Sequence, residues 1–236
     1  GEHRKSYGRL YEQIREKRSM NYGDYSYIEW YPSGSSNLLP MSGYPRSSNY
    51  FSVWIRPVQL GSGLREQHPE LSDVTLGHAH FATRMALREV QDLAQNGMNE
   101  EEFQLTKDFL RSYIKLYVKD PNQRLGYLMD SQFYGRDDYI SELDDLLEEA
   151  TLDDVNEAAR KYMQIENMHI TVITSPEEAE VLAKSLKQNT PSPMSYSNVV
   201  KEGLTPEIYA TDKEVENFKL NIKEVTIVPT EETFEN

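Results

Sequence analysis

The chain of 236 residues has no cysteine, and that absence removes several kinds of protein at once. There can be no disulfide framework, no thiolate zinc site and no cysteine nucleophile. Compartment stays open on this ground, a periplasmic setting being one reading. No apolar run approaches the ~18 residues that a membrane span needs. The first twenty residues carry six basic groups and no apolar block, so they read as neither a secretory signal nor an anchor. Positive charge is scarce overall: 25 Lys and Arg stand against 39 Asp and Glu, giving a formal net charge of -14. Such an excess repels phosphate backbones at long range, and no basic stripe interleaved with aromatics offsets it. Nucleic acid is not an expected partner, and no membrane span is expected.

What the chain does have is enough apolar material to fold. Hydrophobic residues make up 38% and Tyr alone contributes 16, which places the sequence among folded rather than disordered chains. Tyr7, Leu10, Tyr11 and Ile14 fall on one face of an opening helix that runs to Arg18. Two runs of β-formers follow, Tyr22 to Tyr31 and Tyr50 to Ile55, separated by a Pro/Gly/Ser-rich loop from Pro32 to Ser48. A loop of that length is expected to be mobile or functional.

From Asp73 the period becomes helical. One helix turns Ala82, Met85, Ala86, Val90 and Leu93 inward and stops at the left-handed signal Asn96-Gly97. Asn99 and Glu102 form the capping-box pattern of the next, which buries Phe103, Thr106, Leu110, Tyr113, Ile114 and Tyr117. Asp120-Pro121 starts a third with Leu125, Leu128 and Met129 as its core face, ending near Gly135. Shorter helices begin at Asp138 and at Thr151, the latter burying Val155, Ala158, Ala159 and Tyr162. Met168 to Ile173 reads as a third strand, and Ser175-Pro176-Glu177 caps a helix to about Lys187. Strands and helices in separate runs indicate an α+β fold, a mainly antiparallel sheet with helices packed on one face. That domain is expected over 1–189. Thr190-Pro191-Ser192-Pro193 reads as a linker into a tail or extension, 190–236, with one β-like patch at Lys223 to Val228.

Most familiar chemistry is missing from the motifs. Neither H-E-x-x-H nor H-x-x-E-H occurs, and no G-x-S-x-G elbow. His78-Ala79-His80 is the one close imidazole pair. Positions i and i+2 of a helix point about 200° apart and cannot share an ion, so these read as surface histidines near a helix start. Gly61-Ser62-Gly63 lacks the Lys of a phosphate loop, and the acidic run from Asp137 to Glu157 alternates with Leu and Ile as a solvated helix face does. What remains is the junction from the opening helix into the first strand. There Arg15 in a last helical turn and Tyr22 at a strand start stand seven residues apart; the plainer reading is that Arg favours helix C-termini and Tyr favours strands.

That junction, Ile14-Arg15-Glu16-Lys17-Arg18-Ser19-Met20-Asn21-Tyr22-Gly23, resembles the L-R-E-K-R-G-L-x-Y-x signature in the C-terminal domain of the pitrilysin/insulinase family of zinc metallopeptidases, which includes mitochondrial processing peptidase. The step from Gly97 to Phe103, Lys107 and Arg111, the Leu125 segment, Phe133-Tyr134-Gly135-Arg136 and Thr151 to Val155 follow the family order. The resemblance covers about Gly1 to Ala183. It implies the substrate-binding, transition-state-stabilising part of a zinc-dependent endopeptidase. Arg15 and Tyr22 would bind the peptide backbone, and Tyr22 would also carry the catalytic role of donating to the oxyanion. No metal or cofactor is expected in this chain. Zinc would belong to the parent enzyme, on an N-terminal domain or a homologous subunit.

Two departures stand out against the family pattern. Ser19 occupies a position where Gly is common, and the strand and helix that usually precede the Arg/Tyr helix are missing, so the domain reads as incomplete. An edge left open in this way leads us to expect a dimer or a strand-exchanged assembly. The expected ligand is a peptide or unfolded protein. Two other readings stay open: a non-catalytic partner or structural subunit of the same family, and an unrelated acidic α+β binding module.

Overall fold

A computed structural model describes residues 6–28, with side chains as far as Asn21, together with 39, 42–43 and 51–233. Apart from Leu39 and Ser42-Gly43, the long loop expected over Pro32 to Ser48 lies outside the described residues, as do the first five residues of the opening helix. In chain order the elements are a π-helical turn Tyr11–Glu16, strands β1 (Asn21–Ile28) and β2 (Phe51–Pro57), and then helices. These are α1 (Ser62–Gln67), α2 (His78–Asn96), α3 (Glu100–Tyr117), α4 (Pro121–Phe133), α5 (Tyr139–Glu149), α6 (Leu152–Tyr162), α7 (Pro176–Gln188), α8 (Asn198–Lys201) and α9 (Pro206–Glu216).

The expected mainly antiparallel α+β sheet is not what forms. The described residues are mostly helical, at 59% helix, and the only sheet among them is the pairing of β1 with β2. The third expected strand, Met168 to Ile173, keeps the period-two burial of a strand, with Met168, Ile170 and Val172 half-buried and His169, Thr171 and Ile173 exposed. It enters no ladder among the described residues. A strand needs a neighbour for its N–H and C=O groups, and alternating side chains specify the face without supplying that neighbour. Lys223 to Val228 is likewise outside any element.

Local start signals translate directly into caps. The Asn99 side chain accepts from the Glu102 N–H and the Glu102 carboxylate accepts from the Asn99 N–H, and Thr151 and Asp154 repeat that reciprocal pair at α6. Asp120, Asp138 and Ser175 each accept a backbone N–H at the start of α4, α5 and α7. Gly97 ends α2 at φ +76°, a conformation in which a Cβ is costly.

The chain forms two compact units. The first comprises Gly1–Gly8, Tyr25–Trp54 and Asp92–Met163. Its core is Leu39, Ile114, Tyr127 and Ile140, with Tyr113, Tyr117, Val118, Tyr139, Leu143 and Leu147 packed against them. Rings run from Phe109 through Tyr113, Tyr117 and Tyr127 to Tyr139 with centroids 5.6–6.2 Å apart, within the range of favourable aromatic pairing. Lys107 Nζ donates to the Glu148 and Ala150 carbonyls, both at 2.9 Å, and so satisfies acceptors at the end of α5.

α4 faces the opposite way from its apolar pattern. Leu125, Leu128 and Met129, expected in the core, are 56%, 39% and 63% exposed, whereas Tyr127 and Ser131 are buried. Ser131 Oγ donates to the Tyr127 carbonyl at 2.6 Å and accepts from the Tyr139 N–H at 2.9 Å. The inward face is thus held by hydrogen bonds and rings, and the aliphatic stripe is left outside. On α6, Ala159 is buried as expected but Tyr162 is 69% exposed.

The second unit comprises Arg9–Asp24, Ile55–Gln91 and Gln164–Asn236. Ile14, Met20, Phe81, Ala82, Met85 and Val215 form its core, with Leu10, Ile55 and Met194 packed against it. Burial of each large side chain here is worth roughly 1.5–3 kcal/mol. α2 is surrounded on several sides, so that His78, His80, Arg84 and Glu89 are buried along with its apolar residues. The segment after Thr190 contributes Val215, which has no exposed surface.

Candidate functional site

The sequence points to the junction between the π-helical turn and β1, which lies in the second unit. Helical residues widen here into a π turn, an uncommon conformation that recurs at functional sites. Its end is closed by the Ser19 N–H on the Arg15 carbonyl at 2.8 Å and the Met20 N–H on the Ile14 carbonyl at 3.2 Å. Ser19 itself sits at φ +50°, in the left-handed region that glycine enters without strain. That single reversal turns the chain out of the helix. Met20 then points into the core, its carbonyl accepts from the Val58 N–H at 2.7 Å, and β1 begins.

Arg15 stands in the last turn of the π segment, half-buried, with its guanidinium over the Tyr11 ring at 5.0 Å from the centroid. A cation stacked in this way keeps its donors directed to one side. Tyr22 is the second residue of β1, and its side chain lies outside the described residues.

Arg18, three residues after Arg15, is a functional-looking residue of another kind. It is 1% exposed. Nε donates to Asp212 Oδ1 at 2.8 Å and Nη1 donates to the Gln13 carbonyl at 2.5 Å, while Tyr196 donates to the other Asp212 oxygen at 2.7 Å. Burial, followed by the bond to Asp212, pushes the Tyr196 phenol up. The pair ties α9 to the turn that carries Arg15. Sequence reading missed it because Asp212 lies far along the chain.

The two close histidines are corrected by the structure: both are buried rather than at the surface, His78 at 8% and His80 at 1% exposure. His78 Nε2 donates to the Ser195 carbonyl at 2.9 Å. His80 Nε2 faces Arg84 Nη2 at 3.4 Å, and its Nδ1 faces Ser185 Oγ at 3.3 Å. Because Arg84 can only donate, His80 Nε2 is the acceptor and its proton sits on Nδ1, directed at Ser185. Burial, then the Arg84 charge, pull His80 down to about 4, so it is neutral. A Ser–His nucleophile requires the reverse direction of donation. Ser185 instead shares a hydrogen bond with Thr190, and the cluster is structural.

Arg84 has no exposed surface, and no carboxylate pairs with it among the described residues. It donates to the Phe218 and Thr190 carbonyls and to Asn189 Oδ1. A sequence signal for it existed: Arg84 falls beside Phe81 and Met85 on a face that is otherwise apolar.

These residues do not suit zinc. No group of three or more His, Asp or Glu among the described residues is arranged to hold a metal ion, and His80, the better placed imidazole, has a guanidinium against one nitrogen. No helix is long and apolar enough to cross a membrane. No family model matches the chain, nor does any curated protein or solved structure.

Proposed function

We propose that this chain is the peptide-gripping part of a zinc-dependent endopeptidase, with the zinc held by a separate domain or subunit. The observation that carries the reading is the left-handed Ser19, found where the pitrilysin/insulinase signature commonly has Gly. The left-handed backbone is the one that the signature's usual Gly suits, and Arg15 and Tyr22 flank this turn. In this role Arg15 donates to a carbonyl of an extended peptide, and the Tyr22 phenol donates to the oxygen that gains negative charge as the scissile bond is attacked. Recognition runs through the peptide backbone, so sequence preference is loose.

The test is binding of a labelled, unstructured peptide to the chain itself, followed by fluorescence anisotropy. Arg15→Ala is expected to weaken binding about tenfold or more, the worth of one charge-assisted hydrogen bond, and Arg15→Lys to restore part of it. In an assembly reconstituted with the zinc-bearing half, Tyr22→Phe should lower kcat by roughly 10². Binding that ignores Arg15 removes the gripping role. Binding that needs Arg15, with turnover indifferent to Tyr22, makes the chain a non-catalytic subunit.

A further inference from the structure

We propose that Tyr11 is a positioning residue for Arg15, its ring holding the guanidinium ready for a carbonyl of an extended peptide. The inference rests on the peptide-gripping role and adds to it the residue that prepares the grip. Tyr11 opens the π-helical turn, and Arg15 stands in its last turn, four residues on. The Lys17 N–H bonds back five residues to the Glu12 carbonyl at 3.0 Å, and in so wide a turn residues four apart are neighbours on one face. Arg15 Cζ lies 5.0 Å from the centroid of the Tyr11 ring, inside the ~6 Å reach of a cation–π contact.

The turn is anchored one residue away from this pair. Ile14 has no exposed surface, and Leu10 packs against the same core. Tyr11 follows Leu10 and Arg15 follows Ile14, and both are half-buried, so the pair lies at the margin of the core. A ring held at that margin is fixed by its neighbours while the cation above it remains within reach of a ligand.

Neighbouring cations have support of another kind. Lys17 meets Glu12 at 2.7 Å, and the buried Arg18 meets Asp212 at 2.8 Å. A carboxylate takes up N–H donors, whereas a ring covers the plane of a guanidinium and takes up none. Stacking on Tyr11 therefore orients the fork of Arg15 without consuming the groups that grip a carbonyl. A long side chain that is fixed only when its ligand arrives loses rotamer freedom at that step, and stacking beforehand removes part of that loss.

A double-mutant cycle on the full chain tests it, with a labelled, unstructured peptide followed by fluorescence anisotropy. Tyr11→Leu should weaken binding roughly two- to fivefold, and Tyr11→Phe, which keeps the ring, should bind as the unaltered chain does. In an Arg15→Ala background Tyr11→Leu should change nothing further, because the ring then has no cation to hold. A second readout needs no peptide: in NMR the Arg15 Nε proton, shifted upfield by the ring, should move downfield in Tyr11→Leu and stay in place in Tyr11→Phe. If Arg15→Ala weakens binding and Tyr11→Leu does not, the positioning role is overturned and the grip stands. A loss that persists in the Arg15→Ala background assigns Tyr11 to the peptide or to the fold, and overturns the role as well. Binding indifferent to Arg15→Ala removes the grip itself, and the positioning role with it.

Discussion

Asp212 accepts a hydrogen bond from the buried Arg18 at 2.8 Å although 194 residues separate them in the chain. The pair sets the position of the helical turn that carries Arg15 against α9. Removing only the acid strands a guanidinium in the interior, which costs about 3–5 kcal/mol. Asp212→Ala should therefore lower the unfolding free energy obtained from urea titration by that amount, and peptide binding through Arg15 should weaken with it. A loss below about 1 kcal/mol would mean that water reaches Arg18.

Tyr196 adds a pH limit to the same cluster. Its folded pKa is raised by burial and by the bond to Asp212, so the folded state holds the proton more tightly than the unfolded chain. The associated stability is complete below the unfolded value of about 10 and is lost as pH rises beyond it. Unfolding curves at successive alkaline pH should show a fall that is shallower in Tyr196→Phe.

His80 works at the other end of the scale. Its pKa is pulled to about 4 from 6.5, so the unfolded chain takes up the proton first. The contribution is complete above pH 6.5 and declines as pH falls toward 4. In proton NMR the His80 imidazole should remain neutral at pH 5.5, and His80→Gln, which retains an acceptor for Arg84, should flatten the stability slope across that window. An imidazole titrating near 6.5 would contradict the buried placement.

At Asp138 the hydrogen bonds of Arg124 hold the carboxyl down at about 2. Stability from this group is present above pH 3.8 and disappears as pH falls to about 2. The pair is partly open to solvent, so Asp138→Asn should cost only about 0.5–1 kcal/mol at neutral pH. Asp138→Ala also loses the acceptor for the Ile140 N–H at the start of α5 and should cost about 1 kcal/mol more.

Ser19 is exposed and left-handed, so replacing it with Gly relieves backbone strain without removing a packed group. Ser19→Gly is expected to raise stability by about 0.5–1 kcal/mol, the strain relieved exceeding the entropy added to the unfolded chain. A destabilised variant would show that the serine hydroxyl holds the turn.

The sequence was legible where structure is decided within a few residues. Caps at Asn99, Asp120 and Ser175, and the helix starts at Asp138 and Thr151, depend on a side chain reaching its own next turn, and the sequence carries each of these signals. Decisions made at a distance were not. The apolar stripe of α4 announced a face without saying that Tyr127 and Ser131 would be the buried ones. Met168 to Ile173 has strand periodicity and no ladder partner among the described residues. His78 and His80 read as surface residues because they point to opposite sides near a helix start, whereas buried residues lie all around this part of α2. At the candidate site Arg15 and Tyr22 are named through the family resemblance and not by spacing alone, whereas Arg84 is marked by its place on an apolar face but its acceptors, up to 134 residues away, are not legible in the sequence.

The second unit is assembled from three stretches of chain, and Val215 from the last completes a core begun by Ile14 in the first. During synthesis, residues 92–163 have their own core partners Ile114, Tyr127 and Ile140 already in hand when the ribosome is still far from α9. The turn bearing Arg15 must wait. Any product that stops short of Asp212 releases Arg18 without its acceptor and leaves Ile14, Phe81 and Met85 bare, which makes nascent or truncated chains the natural clients of chaperones and proteases.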